Sequence, residues 1–181
     1  MRYNITRVIY YPKLGLNFNM EKIYSKIDPD KLLHIINRNT DMTDGRRDLS
    51  DPKEFLQICT LNLNEGKTFY PHKHIWKNVD TKAIAQESWI IIRGRVRCIL
   101  YDIDDTIIAK PILEAGDCSI TFFGGHNYEI LDNETLIYEV KTGPYFGVDL
   151  DKIKIDESEI NDSNITEVLK QKLDKTFITN E

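Results

Sequence analysis

Residues Gly66 to His74 read GKTFYPHKH, and Glu87 to Gly94 read ESWIIIRG. A second glycine-bounded stretch, GDCSITFFGGH, runs from Gly116 to His126. Together they hold His72, His74 and His126, every histidine of the chain but His34. His72 and His74 are two apart, and on a strand residues i and i+2 point to the same side. Both imidazoles then face one way, close enough to share one ion. Glu87 opens the next strand-like run, with Trp89 and Ile91 on its side. An antiparallel neighbour can bring that carboxylate to the histidine pair. His126 follows Gly124-Gly125, where missing side chains allow a bend and a close backbone approach. Three neutral imidazoles and one carboxylate suit a single divalent transition metal, Fe, Mn, Ni, Co or Zn. On an octahedral ion they leave positions for water, substrate or dioxygen.

Outward from these residues, the texture from Phe55 to Lys141 is short apolar runs cut by turns. Phe55–Leu63, Thr68–His74, Glu87–Ile92, Val96–Tyr101, Ile107–Ile112, Cys118–Phe123, Tyr128–Leu131 and Thr135–Lys141 read as strands. Gly, Asp and Asn fill the gaps, and no helical segment separates a pair. That spacing predicts an all-β antiparallel sandwich or barrel and disfavours a parallel sheet with crossover helices. Residues 1–26 read as an arm. Asp28-Pro29-Asp30 predicts the start of a short helix with Leu32, Leu33, Ile35 and Ile36 on its apolar side. His34 on that helix is a surface or packing residue. Asp41 to Pro52 reads as a polar loop. An acidic, polar run through Asn164 leads to a predicted terminal helix from Ile165 to about Phe177, with Glu167 at capping-box spacing from Asn164. The expected organisation is arm and short helix over 1–54, barrel over 55–150, and tether with helix over 151–181.

Bulk properties narrow the function classes. The formal net charge of -5 over 181 residues argues against a nucleic-acid partner, which usually meets a basic face. No apolar run approaches the ~20 residues that span a bilayer, and the first residues lack a signal-peptide layout. No membrane association is expected. Cys59, Cys98 and Cys118 are odd in number and sit in strand-like runs, so they read as small buried hydrophobes in a reducing, cytoplasmic protein. A homodimer is expected through the N-terminal arm.

The stretch from Gly66 to His126 resembles the two cupin motifs. Gly66, His72-Lys73-His74, Glu87 and Gly94 follow the first. The His74-to-Glu87 gap is 12 residues, where the motif has three or four, so residues 75–86 form an insert at the barrel mouth. Gly116-Asp117 and Gly124-Gly125-His126 follow the second more loosely, with the proline replaced and the histidine one residue early. Tyr138-Glu-Val-Lys-Thr-Gly-Pro-Tyr145 is similar to the signature of WbuC-type cupin metalloproteins, which are associated with bacterial surface polysaccharide loci. The resemblance implies a double-stranded β-helix (jelly-roll) barrel and a metal held by His72, His74, Glu87 and His126.

Glu139 and Lys141 share one face of the last strand, opposite Tyr138 and Val140. Facing inward they would be acid/base or substrate-anchoring groups; a solvated outer face is the alternative. Tyr70 joins them as a catalytic candidate, and Gln57, Tyr101, Tyr138 and Tyr145 are candidate substrate contacts. Arg93, Arg95 and Arg97 alternate on a strand, as a polar outer face or as an anion site. The expected activity is metal-assisted isomerisation or epimerisation of a small polar substrate, a sugar or sugar nucleotide. An Fe(II)-dependent dioxygenase or lyase, and a non-catalytic binding or sensing module, are the alternatives.

Overall fold

A computed structural model describes residues 20–75 and 84–156. Its contacts divide the chain into two units, Met1–Thr43 and Asp44–Glu181. In the first unit β1 (Glu21–Tyr24) pairs antiparallel with β2 (Leu32–Ile36). This corrects the expected helix. Ser25 Oγ accepts the amides of Ile27 and Asp28, and Lys31 N donates to Asp28 O. Asp28-Pro29-Asp30 is therefore the turn of a hairpin, and Leu32–Ile36 are its return strand. A short apolar run does not by itself separate strand from helix. His34 is exposed on β2.

The second unit holds β3 (Gly45–Asp48), β4 (Leu56–Leu63), β5 (His72–His74), β6 (Glu87–Arg93) and β7 (Val96–Tyr101). Then come β8 (Ile107–Ala109), β9 (Ile112–Leu113), β10 (Cys118–Thr121), β11 (Gly125–Ile130), β12 (Thr135–Thr142) and β13 (Lys152–Lys154). One sheet has the order β10-β6-β12-β4-β3, the other β13-β5-β11-β7-β8, with β9 also on β7. Leaving aside β3, β9 and β13, the pairs are β4 with β12, β5 with β11, β6 with β10 and β7 with β8. First pairs with last, second with next-to-last, and so inward. That is one long two-stranded ribbon wound into two facing sheets, the double-stranded β-helix or jelly roll.

The core lies between the sheets. Cys59, Leu61, Trp89, Ile91 and Ile137 come from one sheet, and Val96, Cys98, Tyr128 and Ile130 from the other. Gly94 makes the β6–β7 turn at φ +81°, where a Cβ would lie 2.3 Å from Thr135 Oγ1. Side-chain space as well as backbone conformation demands glycine there.

Three further expectations change. The polar loop Asp41–Pro52 contains β3, whose GRRD sequence is hydrophilic because it is the sheet edge. The tether after residue 150 contains β13, which pairs with β5. Cys59 and Cys98 are buried as expected, but Cys118 is exposed. Residues 1–19 of the expected arm, the insert residues 76–83 and the predicted C-terminal helix lie outside the described residues. Among the described residues, no helix is long and apolar enough to cross a membrane.

Candidate metal centre

Strand alternation and register assemble the site. His72 and His74 are the first and last residues of β5, both buried, with Lys73 turned the other way. His126 lies directly opposite His72 across the β5–β11 pair, and its side chain is fully buried. The His72 and His126 ring centroids are 4.5 Å apart. Gly125, the preceding residue, is packed tightly on the opposite face of β11. A Cβ there would meet Ile155 Cδ1 at 2.3 Å and Tyr101 Cβ at 3.1 Å. Glu87 comes from the facing sheet as the first residue of β6. Its Oε2 lies 3.2 Å from His74 Nε2, and its Oε1 lies 3.3 Å from His126 Nε2. Trp89 Nε1 donates to Glu87 Oε1 at 3.0 Å and fixes the carboxylate. Trp89 in turn stacks on Tyr128 at 3.8 Å. One ligand atom from each of His72, His74, Glu87 and His126 lies within 4.8 Å of every other.

The imidazoles are oriented as metal ligands are. His72 Nδ1 bonds the Tyr70 carbonyl at 2.9 Å, and His74 Nδ1 lies 3.3 Å from both the carbonyl and the carboxylate of Asp151. With Nδ1 held by an oxygen, Nε2 points into the cluster as a lone-pair donor. His126 Nδ1 is buried without a hydrogen bond, and its buried Nε2 has only the Glu87 carboxylate at 3.3 Å, outside hydrogen-bond geometry, which is costly unless something else satisfies the ring. The residues fit a divalent ion.

Electrostatics are skewed within the cluster. Burial, with His126 and Lys152 nearby, pushes His72 down to about 3. For His74 burial also acts downward, but the Asp151 and Glu87 contacts outweigh it and raise it to about 9. Burial would raise the Glu87 carboxyl; the His126 and His74 contacts hold it well below the carboxylate range.

The inner face of the other sheet continues the site. Lys141 on β12 lies between Gln57 and Glu87 in the ladder, and Glu139 between Cys59 and Trp89. Both are buried, so this face of the last strand looks inward. Arg46 Nη1 donates to Glu139 Oε1 at 2.9 Å and Oε2 at 3.1 Å. Burial and the nearby Glu87 raise the Glu139 carboxyl despite Arg46. Lys141 Nζ donates to Asp151 Oδ2 at 3.0 Å and lies 4.4 Å from the Tyr145 ring centre.

Other candidates fall elsewhere. The Tyr70 side chain is 74% exposed beneath the Lys154 ammonium; its backbone carbonyl serves the site instead. The Gln57 amide donates to the Asp51 and Glu54 carbonyls. Tyr101 is buried but follows Leu100, which pairs with His126, so it takes the face away from the histidines. Tyr138, one residue from Glu139, also takes the outer face of its strand. Arg93, Arg95 and Arg97 pair with Glu134, Asp132 and Glu129, which makes them a polar ion-paired surface. Asp151 and Arg46 were missed by sequence reasoning. Asp151 sits in an acidic run that reads as a solvated tether, and Arg46 in a stretch that reads as a loop.

No protein-family model matches the chain, and no curated protein sequence does. Several solved structures are similar in fold. KdgF from Halomonas sp. shares 16% identity over 54% of this chain and 77% of its own, with a TM-score of 0.42. A conserved Klebsiella pneumoniae protein with a double-stranded β-helix domain shares 15% over 62% and 84%, with a TM-score of 0.46. The Schizosaccharomyces pombe Cnp3 cupin domain shares 9% over 68% and 81%, with a TM-score of 0.48. The cupin-type fold of this chain rests on its own strand order and pairing rather than on these likenesses.

Proposed function

We propose that the protein is a metal-dependent enzyme. One divalent transition ion is held by His72, His74, Glu87 and His126. The chemistry is proton transfer on a small polar substrate, the isomerisation or epimerisation of a sugar or sugar nucleotide. The metal part of this reading is supported most by the buried His126 ring, which lacks a hydrogen bond and whose Nε2 faces Glu87, beside two histidines whose Nδ1 atoms are already held. When bound, the ion supplies Lewis-acid polarisation of a carbonyl or hydroxyl.

The protein's own groups divide the remaining work. Glu139 is the proton carrier, a buried carboxylate on the inward face of β12 whose carboxyl is raised by burial and by Glu87. Arg46 fixes its direction. Lys141, held by Asp151 beneath the Tyr145 ring, anchors polar atoms of the substrate. Trp89, stacked on Tyr128, closes the floor and excludes water from Glu87.

Metal analysis of protein purified without a chelating tag tests the site. A stoichiometric ion that is lost in His72→Ala supports it, and full occupancy in that variant sinks it. The reaction is tested by solvent deuterium exchange into a panel of sugars and sugar nucleotides. Glu139→Gln should keep the ion and stop exchange. Oxygen uptake by the Fe(II)-loaded protein without exchange would replace proton transfer with oxidation.

A further inference from the structure

Lys152 opens β13, the edge strand beside β5, directly opposite His74. Cross-strand partners share a face of the sheet. The side chain therefore rises on the histidine side, and its Nζ stands 3.4 Å from His72 Nε2. The neighbouring cations are neutralised, Lys141 by Asp151 and Arg46 by Glu139. Among the described residues, the approach to His72 is the polar contact that Lys152 Nζ makes. His72 Nδ1 already faces the Tyr70 carbonyl, so the lone pair that Lys152 meets is the one an ion would take. With the ion bound, the ammonium loses its acceptor and faces a like charge. Glu87 is the carboxylate of the ligand set, and it offsets one of the two charges of a divalent ion. An excess positive charge and an ammonium then border the same space, and a negative group between them relieves both.

Resting on the metal reading above, we infer that the substrate carries an oxyanion, a carboxylate or a phosphate, and that Lys152 binds it beside the ion. A neutral sugar would leave Lys152 and the ion in mutual repulsion. Lys154, opposite His72 and over the Tyr70 ring at 4.5 Å, extends the cationic edge outward but does not reach the cluster.

Cobalt(II)-loaded protein is titrated with oxalate, inorganic phosphate and imidazole, followed by cobalt visible absorption. Imidazole is the neutral probe. Lys152→Met should weaken the anions about tenfold or more, with cobalt stoichiometry and imidazole affinity unchanged. Lys152→Arg should retain most of the anion affinity, and Lys154→Met nearly all. A response of oxalate alone assigns a carboxylate, and of phosphate alone a phosphate. Should Lys152→Met not fold, Lys152→Gln is read by the same criteria. Unchanged anion affinity, or an equal loss for imidazole, overturns the role of Lys152 while the metal site stands. Failure of the wild-type protein to take up cobalt overturns the metal reading itself.

Discussion

The two ends of the barrel interior are built from the same strands and the same alternation, yet their chemistry is opposite. Along β6 the inward residues run Glu87, Trp89, Ile91; along β12 they run Lys141, Glu139, Ile137. Along β4 they run Gln57, Cys59, Leu61, and along β11 His126, Tyr128, Ile130. Each column passes from a polar residue through an intermediate layer to an aliphatic one. The aliphatic end supplies burial without direction, because the hydrophobic effect asks only for removal from water. At the other end each buried polar group needs a particular partner. The middle layer joins them, since Trp89 is core on its ring faces and a hydrogen-bond donor at its edge. Stability and function are thus stacked along one axis.

That division can be broken from either end. His126→Ala should lower metal affinity by roughly a hundredfold or more, beyond what loss of an outer partner costs, as measured by chelator competition. Its thermal unfolding without metal should change far less. Ile137→Ala should do the reverse, costing about 2–5 kcal/mol in denaturant unfolding while metal stoichiometry stays intact. If either variant lost both properties equally, the two ends would be one cooperative unit.

Asp151→Asn probes the seam between the sheets, since Asp151 touches His74 on one and Lys141 on the other. Metal affinity should fall by about 10–100-fold, and calorimetry of metal binding reads it directly. A separate effect is expected from pH. In the metal-free fold His74 is raised to about 9, so the native state holds a proton that an unfolded histidine releases near 6.5. That contribution is complete below about 6.5 and fades as pH rises through 9. His72, lowered to about 3, acts oppositely and loses stability as pH falls from about 6.5 toward 3. Metal-free stability should therefore peak near the ordinary histidine value in a series of melts. Metal binding should release the His74 proton and tighten by about tenfold per pH unit toward pH 9.

The centre of this arrangement was legible in the sequence because it obeys the strand period. His72 and His74 share a face by parity alone, His126 follows a glycine pair, and Glu87 opens the strand that Gly94 closes. The burial of Glu139 and Lys141 was half legible: parity put them together, but only the fold says that their face looks inward. Asp151 and Lys152 were not legible as site residues. They reach the histidines because an edge strand returns beside β5, and no local spacing encodes that pairing. The hairpin at β1 and β2 failed for a simpler reason. An Asp-Pro-Asp turn and a helix start use the same residues, and five residues of Leu, His and Ile fit either period.

The wound ribbon also sets when the site can exist. His72 and His126 are direct cross-strand partners, yet they lie in the second and the next-to-last strands of the ribbon. No early fragment of the chain contains both. Closing so long a loop has to precede the contact that rewards it, which makes folding slow for this kind of topology. The fully assembled imidazole cluster is thus among the last features to form during folding or synthesis. Ion uptake would then serve as a clock for completion of the chain's fold, not as its nucleus.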